Sequence, residues 1–84
     1  MPYQRLMAAE EKSVGSKQTL RALKKDLAEV VYVATDAEEC VVEPVVKLCE
    51  EQNVPVIKVD SMKSLGRACS IKVDCAVAAI IKKS

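Results

Sequence analysis

The chain has no histidine, tryptophan or phenylalanine and only two tyrosines among its 84 residues. Without histidine, the commonest general base at neutral pH is missing, and so are zinc sites that mix histidine with cysteine. Without a set of aromatic side chains, the chain lacks the stacking platform on which many proteins bind single-stranded nucleic acid. The core must therefore be built from valine, isoleucine, leucine, alanine and cysteine.

Glycine is also scarce, because Gly15 and Gly66 are the only two in the chain. A glycine-rich phosphate-binding loop needs several glycines close together, so none is present. The four cysteines are spaced by 9, 20 and 6 positions and lack the CxxC spacing of metal-binding knuckles. We interpret all four as small buried hydrophobic residues rather than as ligands or disulfides; they are Cys40, Cys49, Cys69 and Cys75.

Long apolar runs are missing too. The N-terminal segment MPYQRLMAAEEKS is interrupted by charges and does not form the apolar stretch of a signal peptide. No stretch approaches the roughly 20 apolar residues of a membrane-spanning helix. The chain is half apolar and 30% charged, as globular proteins are. We therefore expect one domain over residues 1–84, in a cytoplasmic protein with no membrane partner.

The net charge of +1 hides an uneven distribution of charge. Residues 12–25 hold five cations and no acid, and residues 58–72 hold four cations against one acid. Between them, residues 36–51 hold six acids against one cation. If the two basic segments meet in space, they form a face that binds a polyanion. The alternative, charge scattered over a solvated surface, stays open at this stage.

Helix and strand patterns alternate along the chain. Leu20, Leu23 and Leu27 follow each other at spacings of three and four, which predicts an amphipathic helix over 17–25 entered through Gly15 and Ser16. Further helices are predicted over 3–9, 40–53 and 61–69, and strands over 12–14, 29–36, 54–60 and 75–81. Pro44 is expected in the first turn of its helix, where the missing N–H costs nothing.

Strands that are apolar throughout are typical of a sheet covered on both faces. The runs EVVYVATD and CAVAAII are of this kind. The predicted fold class is therefore α/β, a three-layer α/β/α sandwich with a central four-stranded mixed sheet.

The helix over 17–25 presents Lys17, Arg21 and Lys24 on the face opposite its leucines. Its N-terminus adds unpaired backbone N–H groups and the positive end of the helix dipole, which suit an anion. The Gln18 amide can donate and accept at once, so it can read a base edge as well as a phosphate. A plain exposed helix residue is the alternative for Gln18.

Regular A-form RNA has a major groove too deep and narrow for a helix end to reach base edges. The target must then be RNA whose groove is opened by a kink, a bulge or non-Watson–Crick pairs. Since aromatic side chains are absent nearby, an extruded base would be held by aliphatic contact. The segment LGRACSIKV offers Ile71 and Val73 for this, on a loop flanked by Arg67 and Lys72.

Four segments, VGSKQTLRALKK, VVYVATDAE, LCEEQNVPVIKV and SLGRACSIKV, occur in this order between positions 14 and 80. Together they resemble the kink-turn-binding ribosomal protein superfamily of the L7Ae and L30e type, and most closely its short bacterial L7Ae-like members. The resemblance implies a non-enzymatic protein, without cofactor, that binds a kink-turn, an RNA helix–loop–helix with tandem sheared G·A pairs at a sharp bend. The implied partner is structured RNA such as ribosomal RNA, bound by a monomer that can be ribosome-associated.

The resemblance also implies which residues contact RNA. Lys17, Gln18 and Arg21 match the polar pair and the cation that reach the G·A pairs in the family, although archaeal members typically carry Asn-Glu at that pair. The loop from Ser70 to Val73 matches the one that cradles an extruded nucleotide, and relatives usually have glycine where this chain has Ser70. The complete set of predicted contact residues is Gly15, Ser16, Lys17, Gln18, Arg21, Lys24, Glu38, Lys63, Arg67, Ser70, Ile71, Lys72 and Val73.

Two functions other than RNA binding are also compatible with the sequence. A protein-interaction module of the same fold could use the acidic helix between positions 38 and 51 to bind a basic partner. A small enzyme could use Asp36 and Asp60, which end predicted strands where open α/β sheets place ligands. We interpret these two acids as caps of the helices that follow them.

Overall fold

The structure, a computed structural model, describes residues 3–82; Met1, Pro2, Lys83 and Ser84 of the expected domain lie outside this range. The elements are α1 (Tyr3–Ala8), β1 (Lys12–Val14), α2 (Ser16–Lys24), β2 (Ala28–Ala34), α3 (Glu39–Gln52), β3 (Val56–Val59), α4 (Met62–Ala68) and β4 (Val77–Ile81). The predicted order of helices and strands is confirmed. Within residues 3–82, no helix has the length and apolar character needed to cross a membrane.

The four strands form one mixed sheet in the order β1-β4-β2-β3. The last strand, β4, runs antiparallel to both β1 and β2 and lies between them, whereas β2 and β3 are parallel. Tyr32 at the centre of β2 lies beside Ala78 of β4 and Ile57 of β3. The two central strands are therefore the ones that must be apolar on both faces.

Side chains of β2 and β4 alternate between two separate cores. On one face, Val30, Tyr32 and Ala78 pack with Leu6 of α1 and Leu65 of α4. On the other face, Val31, Val33, Val77 and Ala79 pack with Leu23 of α2 and with Val45 and Cys49 of α3. The three-layer sandwich is therefore confirmed, with α1 and α4 on one side and α2 and α3 on the other.

A bulge at Glu29 changes the alternation at the start of β2. Ala28 pairs with Ile81 and Val30 with Ile80, so two steps along β2 match one along β4. Ala28 consequently packs in the α2–α3 core, although Val30 and Tyr32, two and four residues further along β2, face α1 and α4. The exposed Glu29 carboxylate lies 3.2 Å from the Arg5 guanidinium of α1.

Three details of the sequence interpretation are wrong. Helix α3 begins at Glu39, so Pro44 lies in its interior rather than in its first turn. Cys40 is exposed, whereas Cys49, Cys69 and Cys75 are buried as expected. Leu27 lies beyond the end of α2 and is 39% exposed, because the backbone leaves the helix at Asp26.

Three helices end on a residue with left-handed backbone geometry, and none of these residues is glycine. They are Asp26 (φ 57°), Asn53 (φ 57°) and Ser70 (φ 62°). After each one, the next N–H reaches back to a helix carbonyl: Leu27 to Ala22 at 2.9 Å, Val54 to Cys49 at 2.9 Å and Ile71 to Gly66 at 3.1 Å. This pairing is the Schellman motif, in which glycine is the usual residue. Ser70 is the least favourable of the three, because Asp and Asn tolerate positive φ better.

We expect Ser70→Gly to raise the free energy of unfolding by about 1 kcal/mol, because glycine removes the steric cost of positive φ. Asn53→Gly is the matched control and should change stability less. Urea unfolding at constant m-value measures both. A loss of stability in Ser70→Gly would contradict the assigned cap geometry.

Candidate nucleic-acid interface

The start of α2 and the turn after β2 come together at one edge of the sheet. Strands β1, β2 and β3 end at this edge and β4 begins there. Hydrogen bonds tie the strand ends together: Gly15 N–H to Val77 O at 2.8 Å, Ala34 N–H to Ala76 O at 2.9 Å and Thr35 N–H to Val59 O at 2.9 Å. We call this region, residues 15–18, 35–38, 60–62 and 75–77, the strand-end edge.

Gly15 turns the chain from β1 into α2. Its φ of 94° lies in the region that side chains disfavour. A Cβ at this position would meet no atom within 4 Å. Glycine is therefore required here by backbone conformation and not by crowding inside the protein. The open space beside its Cα leaves room for a ligand backbone to approach.

The first turn of α2 presents its N–H groups without a side-chain cap, since Gly15 has no side chain to supply one. Thr19 N–H bonds to Gly15 O at 3.1 Å, so the N–H groups of Ser16, Lys17 and Gln18 precede the first helical bond. The Gln18 Oε1 atom accepts the N–H of Val14 at 3.3 Å. Gln18 is thus more than a plain exposed residue, because its side-chain oxygen stabilises the turn between β1 and α2.

A buried hydroxyl pair anchors this turn to the core. Ser13 Oγ of β1 and Thr19 Oγ1 of α2 lie 3.0 Å apart, and the two residues are 6% and 0% exposed. Each hydroxyl satisfies the other in a place where an unpaired polar group would cost about 1–3 kcal/mol. Sequence reasoning missed both as positioning residues. The available signal was a polar Thr19 on the apolar face of an amphipathic helix.

The cations of α2 form an exposed stripe. Lys17, Arg21 and Lys24 are all exposed, and none of them forms an ion pair with an acid among residues 3–82. Lys24 ends the helix, about 12 Å beyond Ser16 at 1.5 Å per residue. Lys17 and Arg21 therefore lie near the strand-end edge, and Lys24 lies away from it.

The loop after α4 folds back on that helix before entering the strand-end edge. Ile71 is half-buried against the α1–α4 core, while Val73 is 69% exposed. A Cβ on Gly66 would stand 2.3 Å from the Val73 carbonyl oxygen, so this close approach requires glycine. Sequence reasoning used Gly66 only as part of the LGRAC motif and missed its role in shaping the loop. Ser70 and Lys72 are exposed on the same loop.

Asp36 links the turn after β2 to α4. Its Oδ1 accepts the Met62 N–H at 2.8 Å, so Asp36 caps α4, a helix distant in sequence. The expectation that Asp36 caps the following helix, α3, is therefore wrong. Ser61 is the N-cap of α4, and its Oγ accepts the Ser64 N–H at 3.1 Å. The expectation that Asp60 caps α4 is therefore also wrong, because Ser61 holds that position. Neither Asp36 nor Asp60 stands in a group of acids and cysteines that could hold a metal within the described chain.

Glu38 occupies the N-cap position of α3 and is exposed. Its Oε2 accepts a hydrogen bond from the Cys40 thiol at 3.5 Å. Glu38 follows β2 and so lies at the strand-end edge, and its contact with RNA stays a prediction.

Lys63 and Arg67 are exposed one turn apart on α4. Because α4 covers the sheet face opposite α2, the two basic segments do not share one face. Both helices begin at the strand-end edge, because α2 follows β1 and α4 follows β3. The sequence left open one continuous basic face or scattered charge, and neither describes the structure fully. Lys17 and Arg21 lie near the strand-end edge and Lys72 lies on its loop. Lys24 and Arg67 lie in the last turns of their helices.

The sequence matches the model of the ribosomal protein L7Ae/L30e/S12e/Gadd45 family over residues 3–84. The chain belongs to this family. The suspected resemblance is thereby confirmed, over more of the chain than the four motif segments covered.

Bacterial proteins with high sequence similarity to this chain are known. An RNA-binding protein of Geobacillus sp. strain WCH70 is 49% identical over 82 residues, covering 98% of this chain and 100% of that protein. The RNA-binding protein YbxF of Geobacillus stearothermophilus is 48% identical over 82 residues, with the same coverage of 98% and 100%. Among solved structures, the Giardia lamblia 15.5 kD RNA-binding protein has a TM-score of 0.85 and 29% identity, covering 98% of this chain and 69% of that one.

We expect Gly66→Ala to lower the free energy of unfolding by about 2 kcal/mol, because the new methyl group must push the Val73 carbonyl away. Helix propensity alone predicts the opposite sign, since alanine is better than glycine in a helix by about 1 kcal/mol. Urea unfolding therefore separates the two effects by sign. A more stable Gly66→Ala protein would show that the loop does not pack against Gly66.

Proposed function

We propose that this protein is a non-enzymatic RNA-binding protein that recognises a kink-turn and stabilises its bent form. It would act as a monomer on ribosomal or regulatory RNA in the cytoplasm. The observation that carries the proposal is the start of α2, where an uncapped helix N-terminus at Gly15 has open space beside it. Lys17 and Arg21 lie next to it, are exposed and form no ion pair within residues 3–82. Family membership and the names of the relatives support it.

The α2 N-terminus supplies the attraction for a phosphate group. The N–H groups of Ser16 and Lys17 point out of the helix start, where the positive end of the dipole favours an anion. The Lys17 ammonium adds a full charge at the same place. These contacts position the RNA backbone and are independent of base sequence.

Gln18 and Arg21 supply the contacts that can read bases. Because the Gln18 Oε1 atom already accepts the Val14 N–H, its amide orientation is set before RNA arrives. Its N–H donors are then available for base acceptors such as guanine O6 or N7. Arg21, one turn further on, presents planar donors that suit the same acceptors. Sheared G·A pairs expose such acceptors in a groove wide enough for a helix end.

The loop from Ser70 to Val73 supplies an aliphatic surface for an extruded base. Val73 is 69% exposed, so its side chain is open to contact with a base. Burying a side chain of this kind contributes about 1.5–3 kcal/mol. Lys72 lies beside it for the adjoining phosphate, and Glu38 lies across the strand-end edge from the loop's entry into β4.

The mechanism is a shift of population between two RNA conformations. The protein binds the kinked form in preference to the extended form, and it can move the equilibrium only by that difference in affinity. Cations alone would bind both forms and would be strongly salt-dependent. Discrimination therefore has to come from Gln18, Arg21 and the loop.

We expect the protein to bind a kink-turn duplex about tenfold or more tightly than a duplex whose G·A pairs are replaced by Watson–Crick pairs. The measurement is a titration of duplexes labelled at both ends, in which energy transfer reports bending and gives the Kd. Equal affinity for both duplexes would overturn the proposal and favour the protein-interaction alternative through the acidic α3.

Two variants each remove one positive charge, at different positions along α2. Arg21→Ala should weaken kink-turn binding by about 1–3 kcal/mol and affect the replaced duplex little. Lys25→Ala removes one positive charge at the far end of the same helix and should mainly reduce the salt dependence. Equal losses in the two variants would show that α2 acts by charge alone.

A further inference from the structure

The proposed RNA contacts do not include Asp36, yet its side chain connects two segments that supply such contacts. Asp36 lies in the turn between β2 and α3, two residues before Glu38. Its Oδ1 atom accepts the Met62 N–H, 26 positions further along the chain, at 2.8 Å. Met62 is the first residue of α4. The Asp36 side chain therefore fixes the turn that carries Glu38 to the start of α4.

Met62 also holds the end of the loop that follows α4. Its carbonyl oxygen accepts the Cys75 N–H at 3.0 Å. The C-cap of α4 is Cys69, so residues 70–74 form the loop that closes at this bond. Met62 thus binds the turn after β2 through its N–H and the end of the loop through its carbonyl oxygen.

Two further hydrogen bonds extend the connection to the start of α2. The Cys75 thiol donates to the Val77 carbonyl oxygen at 2.9 Å. The same oxygen accepts the Gly15 N–H at 2.8 Å. A continuous series of hydrogen bonds therefore runs from Asp36 through Met62, Cys75 and Val77 to Gly15. It joins the three segments of the chain to which RNA contacts are assigned.

Apolar contacts support the same arrangement. Ala37 of the turn, Met62 at the start of α4 and Ile71 of the loop are all partly buried against the α1–α4 core. The turn and the loop thus rest on one support, and Asp36 ties the turn to it. The bond is of a strong type, because its acceptor is a carboxylate and its donor lies at the start of a helix, where negative charge is favoured.

We propose that Asp36 is a positioning residue for nucleotide binding. It holds the turn that carries Glu38 in place relative to residues 70–73, and these two segments flank the proposed nucleotide site. The inference rests on the proposed function, and it requires no contact between Asp36 and RNA. Without the carboxylate, the turn and the start of α4 are free to move apart, and binding must then order both segments. Ordering mobile segments at the moment of binding weakens affinity.

We expect Asp36→Ala to raise the Kd for a kink-turn duplex about tenfold. Charge alone predicts the opposite sign, because removing an acid beside a polyanion strengthens its attraction. Asp36→Asn keeps a side-chain oxygen that can accept the Met62 N–H and should restore most of the affinity. The measurement is the titration of end-labelled duplexes. An unchanged or lower Kd in Asp36→Ala would overturn the proposal.

Asp60→Ala is the matched control for charge. It removes the same charge next to α4, where the Asp60 backbone carbonyl oxygen, which the substitution keeps, accepts the Thr35 hydroxyl at 3.1 Å. We expect this variant not to raise the Kd. A tenfold rise in Asp60→Ala as well would show that the effect does not come from the bond between Asp36 and Met62, and it would overturn the proposal.

A second duplex separates positioning from a general loss of stability. It is the same kink-turn with the extruded nucleotide replaced by a spacer that carries no base. Asp36→Ala should weaken binding of the complete duplex about tenfold and that of the spacer duplex by less than about twofold. Equal losses on both duplexes would show that Asp36 only stabilises the fold, which would contradict a role at the nucleotide site.

Amide hydrogen exchange of the free protein tests the hydrogen-bond series without RNA. Compared with Asp60→Ala, Asp36→Ala should speed exchange at Met62 and also at Cys75, whose acceptor moves with Met62. Faster exchange at Met62 alone would overturn the coupling of the turn to the loop. A wild-type protein that does not discriminate the G·A pairs would overturn the proposed function and the role of Asp36 in binding. Exchange at Cys75 would still decide whether Asp36 holds the two segments together.

Discussion

The Gly15 N–H donates to the Val77 carbonyl oxygen at 2.8 Å, and the geometry of the candidate site depends on this bond. It connects the end of β1 to the start of β4, the strand that lies between β1 and β2. The φ of 94° at Gly15 then turns the chain from β1 into α2 and leaves the first N–H groups of that helix without a side-chain cap. The buried Ser13–Thr19 hydroxyl pair holds the helix in that direction. One turn and two hydrogen bonds thus produce the uncapped helix end at which we propose that RNA binds.

Backbone conformations that usually need glycine are common in this chain, although glycine is scarce. Asp26, Asn53 and Ser70 all adopt positive φ at helix ends. Of the two glycines, Gly66 lies where a methyl group would clash with the Val73 carbonyl oxygen. The loop that follows α4 therefore combines a strained serine with a close backbone contact and an exposed valine. Backbone strain of this kind is typical of functional segments. Its unfavourable free energy is offset by stabilising contacts elsewhere in the protein.

Much of the fold was predictable from local patterns. The uninterrupted apolar runs of β2 and β4 indicated a sheet covered on both faces, and the order of helices and strands followed from periodicity and caps. The motif starting at Gly15 also indicated where α2 begins. The contact residues themselves stay predictions, because the structure shows where they lie and contains no RNA.

Contacts between distant segments could not be predicted from the sequence. Asp36 caps α4 across the sheet edge, and no local signal distinguishes this from capping of the following helix. Nor does the charge pattern reveal that α2 and α4 cover opposite faces, since that depends on the strand order. The bond from the Gly15 N–H to the Val77 carbonyl oxygen likewise exists only after β4 is inserted beside β1.

The central claim is that RNA is bound at the strand-end edge and its loop. The most direct test is a titration of isotopically labelled protein with a kink-turn duplex, followed by the chemical shifts of the backbone amides. We expect the largest changes on residues 15–18 and 70–73 and none on the outer face of α3. Changes concentrated on α3, or spread evenly over all exposed amides, would contradict it.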